Sequence, residues 1–130
     1  MSIFALPEHL IEIRHFTIPK VQTWGKKTDA LYKEMVLSYA DLLHNQGQGY
    51  KEYVFVIRCV LGRRRSIYNR QIPDVENIPK LIVDAFTGVL YPDDNLNYVR
   101  GVQVEAEWGP DDQERAEVWI FGVPAERRLI

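Results

Sequence analysis

Apolar residues alternate with polar ones, or follow one another, in four segments that predict β-strands. Residues 10–18 are rich in β-branched side chains and predict the first strand. Residues 52–61 are apolar on both sides, which is typical of a central strand. Residues 99–108 and 116–121 flank a turn-forming sequence at 109–112, and this pattern predicts an antiparallel hairpin with one solvated face.

Two further segments carry apolar residues at helical spacing. The first begins at Thr28, a residue type that caps helices, and we expect Gly47 and Gly49 to end it. Its apolar positions are Tyr32, Met35, Val36, Tyr39 and Leu43. Residues 73–88 predict an extended entry and then a helix, with Pro79 in its first turn and Gly88 at its end. The apolar positions of this helix are Ile78, Leu81, Ile82, Ala85 and Phe86.

The order strand, helix, strand, helix, strand, strand predicts an α+β fold, in which a small mixed β-sheet is covered by two helices. The chain has 130 residues, of which 46% are hydrophobic, and it has neither repeats nor a Pro/Gly/Ser-rich linker. We therefore expect one domain over residues 1–130. The single cysteine, Cys59, excludes a paired-cysteine zinc site, and its place in an apolar strand predicts a buried side chain.

Charge and hydropathy narrow the classes of protein further. No stretch approaches the roughly 20 apolar residues of a membrane-spanning helix, and the N-terminus does not read as a signal peptide. The expectation is a cytoplasmic protein without a membrane partner. The formal net charge is −2, which disfavours nucleic-acid binding through bulk electrostatics and restricts any such binding to local basic patches.

Residues 73–95 concentrate the chemistry, because five acidic residues stand there against one base, Lys80. Glu76, Lys80 and Asp84 repeat at four-residue spacing and so share one helical stripe. Crowded carboxylates raise one another's pKa unless a divalent cation neutralises them, and hard oxygen ligands favour Mg²⁺ or Mn²⁺. An acidic helix start followed by an Asp-Asp turn, with no metal, explains the same composition. The five acids are Asp74, Glu76, Asp84, Asp93 and Asp94.

The same segment resembles the RusA family of Holliday junction resolvases. The resemblance rests on three runs in order: Asp74-Val-Glu76-Asn77-Ile-Pro-Lys80, then Asp84-Ala-Phe-Thr-Gly88, then Asp93-Asp94. Glu76 stands where the family has aspartate. The order of elements over residues 10–122 is also similar to that family, which implies a RusA-like fold.

The resemblance implies a Mg²⁺-dependent crossover junction endodeoxyribonuclease that acts on branched DNA in recombination and repair. It assigns Asp74, Glu76 and Asp94, with Asp93, to the metal, and Lys80 to the scissile phosphate. Asn77 and Asp84 would support the site. Because a four-way junction has two-fold symmetry, a homodimer is also implied. The alternatives are a non-catalytic DNA-binding or protein-interaction member of the same fold, and an unrelated protein with an exposed acidic helix start.

A basic run precedes the acidic segment, with five arginines and no acid over residues 58–70. Such a run favours contact with a phosphate backbone next to the metal site. Lys26 and Lys27, after the first strand, form a second candidate patch. Arginines that pair with the glutamates of the last two strands would explain the same run structurally. The predicted DNA contacts within the run are Arg63, Arg64, Arg65 and Arg70.

Overall fold

The computed structural model describes residues 10–22, 27–42, 50–67 and 75–124. The strands and helices follow the predicted order and confirm the α+β class. They are β1 (Ile11–Ile18), α1 (Asp29–Ala40), β2 (Tyr50–Gly62), α2 (Pro79–Ala85), β3 (Val99–Gly109) and β4 (Arg115–Pro124). Short 3₁₀ turns cover Arg63–Ile67, Val75–Asn77 and Asp111–Gln113. Neither described helix has the length and apolar run that crossing a bilayer needs.

The strands form one mixed sheet in the order β1-β4-β2-β3. β2 is parallel to β3 and antiparallel to β4, while β1 and β4 are antiparallel. The predicted hairpin between the last two strands is wrong, because β2 lies between them. The turn sequence passes over the end of β2 instead of reversing tightly: the Gly62 amide donates to Glu114 (3.1 Å) and the Arg64 amide donates to Asp111 (2.7 Å).

The core lies where both helices meet one face of the sheet. Phe55, Ile57 and Cys59 project from β2 into it and are fully buried. Burial raises the pKa of the Cys59 thiol to about 12, so this cysteine is a small core residue, as predicted. All five apolar positions predicted for the second helix segment are buried: Ile78, Leu81, Ile82, Ala85 and Phe86.

α1 is shorter than its sequence pattern predicts. Thr28 does occupy the N-cap position, but its hydroxyl donates to the side chain of Gln22 (3.1 Å). The helix ends at Ala40, where Asp41 takes a left-handed conformation (φ 48°), and not at Gly47 or Gly49. Those glycines and Leu43 lie outside the described residues.

A side chain from β1 explains why α1 stops at Ala40. Arg14 donates a hydrogen bond to the Ala40 carbonyl and lies 3.7 Å from the Asp41 carboxylate. A cation at this position satisfies the last carbonyls of the helix and its negative dipole end. Tyr39, predicted on the apolar face, is 46% exposed in this final turn.

Candidate active site

A cleft of about 630 Å³ opens between α2 and the beginning of β3. Three residues predicted for the site line it together: Lys80, Asp84 and Asp94. Arg100, which sequence reasoning missed, lines the strand side of the same cleft. The remaining lining residues are Pro79, Leu81, Val83, Val99, Gly101 and Val102, so charged groups stand on a largely apolar surface.

Lys80 and Asp84 lie on the cleft side of α2 because the apolar residues of this helix are buried in the core. The two residues are four positions apart, which places them one turn apart on the same side of the helix. Lys80 is exposed, whereas Asp84 is half-buried and forms an ion pair with Lys33 of α1.

Glu76 and Asn77 precede α2 in the 3₁₀ turn Val75–Asn77. The tighter winding of a 3₁₀ turn, about three residues per turn, interrupts the helical stripe predicted to join Glu76 to Lys80. Glu76 is exposed and does not line the cleft, and Asn77 is half-buried. Asp74 lies outside the described residues.

Two buried tyrosines fix the connection that brings the Asp93-Asp94 pair back to α2. The Tyr91 hydroxyl donates to the Val83 carbonyl (2.6 Å), and the Tyr53 hydroxyl donates to the Leu90 carbonyl (3.2 Å). Gly88, which has a φ of +86°, allows the chain to turn between α2 and Leu90, since residues other than glycine rarely adopt that conformation. The connection that leads to the Asp93-Asp94 pair is therefore anchored to the core.

The two aspartates of the pair have different surroundings. Both carboxylate oxygens of Asp93 accept hydrogen bonds within the loop, from the Asp94 amide (2.8 Å) and from the Asn95 side chain (3.3 Å). Both contacts are with the next two residues, so Asp93 is occupied with local structure. Asp94 is the member of the pair that lines the cleft.

Neighbouring carboxylates perturb Asp94. Partial burial, followed by the negative charges of Asp84 and Asp93, raises the pKa of Asp94 above its ordinary value. Burial, with the charges of Asp94 and Asp84, likewise raises the pKa of Tyr91. Carboxylates that destabilise one another in this way are suited to a cation, which would relieve the repulsion.

The cleft offers the type of oxygen ligand that a hard divalent cation prefers, and its described residues supply two carboxylates. Asp84 and Asp94 supply carboxylates, the ligand type that Mg²⁺ and Mn²⁺ prefer. Within the described ranges, no three acidic, histidine or cysteine side chains are grouped closely enough to hold an ion. Asp74, outside those ranges, is the further carboxylate that the sequence predicts, and waters and substrate phosphates commonly supply the other oxygens around Mg²⁺.

The described residues of the predicted arginine patch lie far from the cleft. We call Arg63–Ile67 the arginine turn; it follows Gly62, which pairs with Gly109, whereas the cleft adjoins residues near the Tyr53–Val99 pair. At about 3.3 Å per residue, nine residues of β2 separate the two sites by roughly 30 Å. The arginine turn therefore does not adjoin the described acidic cleft.

Within the arginine turn, the side chains divide into anchored and exposed ones. Arg65 forms two hydrogen bonds to Glu114, at 2.7 and 2.8 Å, and a third to the Val21 carbonyl at 3.1 Å. Arg63 and Arg64 are exposed, as is Lys27. Arg70 and Lys26 lie outside the described residues. The structural alternative for the basic run thus holds for Arg65, although its partner is Glu114.

Arg100 had no motif to reveal it. It stands alone at the start of β3, whereas the predicted DNA contacts came from clusters of basic residues. The usable signal was its position, because the residues after Asp93-Asp94 enter a strand that must begin beside the acidic pair. Only the parallel pairing of β2 with β3 places that strand start opposite α2.

Taken together, the four-stranded mixed sheet, the helix that carries Lys80 and the acidic cleft define a small α+β protein with a candidate catalytic centre at one end of its sheet. The chain matches the family model of Endodeoxyribonuclease RusA over residues 13–120 and belongs to that family. The match spans all the described strands and helices almost completely, and it confirms the resemblance. Family membership implies nuclease activity. No curated protein gives a significant match to the chain.

Proposed function

We propose that this protein is a Mg²⁺-dependent endonuclease that resolves Holliday junctions or related branched DNA in recombination and repair. The observation that carries the proposal is the cleft in which Lys80, Asp84 and Asp94 meet, in a chain of the RusA family. Metal-assisted hydrolysis of a phosphodiester needs carboxylates for the cation and positive charge for the phosphate, and the cleft supplies both.

The residues of the chain have separable roles in this reaction. Asp94, supported by Asp84 and joined by Asp74 and Glu76, would hold the cation. When bound, Mg²⁺ or Mn²⁺ supplies a water of lowered pKa and offsets negative charge at the phosphate. Lys80 adds a positive charge on the helix side of the cleft, where it stabilises the charge that develops on the scissile phosphate.

The distance between the cleft and the arginine turn supports contact with more than one part of the DNA. Arg63 and Arg64 would bind the backbone of a duplex arm roughly 30 Å from the cut, by the rise of about 3.3 Å per strand residue. Lys27 belongs to the second predicted patch. A symmetric pair of cuts requires two such sites, so the active species would be a homodimer.

The decisive experiment is a cleavage assay on a four-way junction during a Mg²⁺ titration, with a linear duplex of the same sequence as the comparison. We expect junction cutting that requires the metal and is lost in Asp94→Asn, while that variant still binds the junction. Asp112→Asn is the matched control, because Asp112 is exposed at the opposite end of the sheet. Cutting in the absence of metal, or full activity of Asp94→Asn, would contradict the proposal.

One observation favours a second candidate function. Glu76 replaces the family's aspartate and stays outside the cleft, which weakens the ligand set. A non-catalytic member of the fold would bind the junction and leave it intact in both Mg²⁺ and Mn²⁺. The same assay therefore separates the two functions.

A further inference from the structure

Arg100 combines an exposed guanidinium with a buried partner. Its side chain is 56% exposed and lines the cleft at the beginning of β3. Its Nη1 lies 3.3 Å from Oε1 of Glu52, whose side chain is only 11% exposed. In the described part of the chain, Glu52 is the one charged residue that is buried.

This asymmetry distinguishes the pair from the other arginine–glutamate pairs of the sheet. Arg58 and Glu107 lie 3.7 Å apart with both side chains about half exposed, as is usual for a surface ion pair that contributes little. A buried carboxylate, in contrast, is costly unless it is paired, so Glu52 must retain Arg100. The consequence is that Arg100 is held in one orientation at the rim of the cleft.

The geometry leaves Arg100 able to bind an anion. A guanidinium carries five N–H donors, and Glu52 accepts from one end of it. More than half of the Arg100 side-chain surface stays exposed beside the cleft. Paired donors in a fixed fork match the two free oxygens of a phosphodiester, which a lysine cannot match.

The charges of the cleft indicate where that phosphate lies. Asp84 and Asp94 repel an incoming phosphate, so a cation on each wall would favour its entry. Lys80 provides one on the helix wall and Arg100 provides one on the strand wall. We infer that Arg100 binds a DNA backbone phosphate next to the scissile one, and that Glu52 positions its guanidinium. This inference rests on the proposed function, whose metal and Lys80 it supplements.

The test measures four-way junction binding in EDTA over a range of salt concentrations, followed by cleavage in Mg²⁺. Arg100→Gln is expected to raise Kd about tenfold and to lower the slope of log K against log salt by about one. Arg100→Lys should restore the slope but only part of the cleavage rate, because it keeps the charge and loses the fork. Full recovery by lysine would overturn the bidentate contact.

Glu52 acts through Arg100 and is therefore a positioning residue. Glu52→Gln should raise Kd with the salt slope unchanged, and adding it to Arg100→Gln should cause no further loss of binding. Additive losses would instead indicate a general structural role. Thermal unfolding of each variant establishes that it is folded at the assay temperature.

Arg115→Gln is the matched control, since it removes an arginine from the same sheet that lies outside both the basic run and the cleft lining. Its Kd and cleavage rate should stay within about twofold of the wild type, as for most surface substitutions. If Arg100→Gln behaves like this control while the wild type cuts the junction, the inference fails and the proposed function stands. If the wild type cuts nothing, the proposed function fails, and the binding data alone decide the role of Arg100.

Discussion

Charged side chains have different surroundings at the two ends of β2. At its beginning, Asp84 and Asp94 crowd one another in the cleft, and Arg100 turns toward solvent. At its end, Arg65 and Glu114 meet through two short hydrogen bonds, and the Gly62 amide donates to the same carboxylate. Basic and acidic residues occur at both ends, so composition does not separate them.

The pKa directions express this contrast. Partial burial and two carboxylates raise the pKa of Asp94. Burial also opposes ionisation of Glu114, but the hydrogen bonds from Arg65 and from the Gly62 amide outweigh it and lower the pKa of Glu114. The carboxylate of Glu114 is thus stabilised by donors within the fold, whereas the neighbours that act on Asp94 are mainly carboxylates, whose repulsion a bound cation would relieve. This difference supports the cleft, rather than the anchored Arg65–Glu114 pair, as the candidate site.

The largest effect should come from removing a charge at the cleft end. Lys80→Gln is expected to slow junction cleavage about a hundredfold, because it deletes positive charge beside the developing negative charge. The free energy of unfolding should hardly change, since Lys80 is exposed. Single-turnover cleavage and urea unfolding measure the two quantities. Lys51→Gln, at an exposed position of β2, is the control, and equal cleavage by both variants would refute the contrast.

The reverse pattern is expected at the arginine turn. Glu114→Ala removes the acceptor of the Gly62 amide and of two Arg65 hydrogen bonds, which should cost about 2 kcal/mol of unfolding free energy. Cleavage per folded molecule should stay within about threefold of the wild type, because Glu114 is far from the cleft. Urea unfolding and a cleavage assay at low temperature test both parts. A Glu114→Ala variant with wild-type stability and no cleavage would contradict a structural role for Glu114.

A pair of glycines tests the packing at the same two ends. A Cβ on Gly62 would lie 2.8 Å from Oδ1 and 3.0 Å from Cα of Asp111, so Gly62→Ala should destabilise the protein by about 1–2 kcal/mol. A Cβ on Gly101, in the cleft, would meet Val54 at an ordinary 3.7 Å. Gly101→Ala should therefore change stability by less than about 0.5 kcal/mol. Equal unfolding midpoints for the two variants would show that the turn is not tightly packed.

The smallest effect concerns pH. Because the pKa of Glu114 is lower in the folded state, its ionisation stabilises the fold above the pKa of the unfolded chain, and this contribution disappears as pH falls through the folded value. The stability difference between the wild type and Glu114→Ala should therefore narrow steadily in acid. Urea unfolding at pH 7 and at progressively lower pH measures it, and a difference that stays constant would exclude this linkage.

Hydrophobic periodicity was enough to predict the strands, both helices and the buried face of α2, since each depends on local spacing. It did not predict the buried face of β3, where Gln103 is buried and Val102 and Trp108 are exposed. It could not predict which strands pair. A segment that is apolar on both sides, such as β2, needs neighbours, but the pattern does not say that β3 and β4 take one edge each. The end of α1 was also missed, because the side chain that stops it, Arg14, comes from another element.

The candidate site was predictable in part for the same reason. Lys80, Asp84 and Asp94 could be found because a family pattern joins them along the chain. The arginine turn and the acidic segment were expected to lie close in space because they are close in the sequence. The prediction was wrong, because the arginine turn and the acidic cleft lie at opposite ends of β2, a strand of 13 residues. Arg100 depended on a parallel pairing that no local pattern encodes.

The interposition of β2 between β3 and β4 also governs how the chain folds. A hairpin of adjacent strands closes within microseconds, independently of the rest of the protein. Here β3 pairs with β2 alone, so it has no partner until β2 is in place, and this parallel pair must first close the long loop through α2. We expect slow folding with a nucleus that includes β2. During synthesis, the cleft therefore forms only after β3 has left the ribosome and paired with β2.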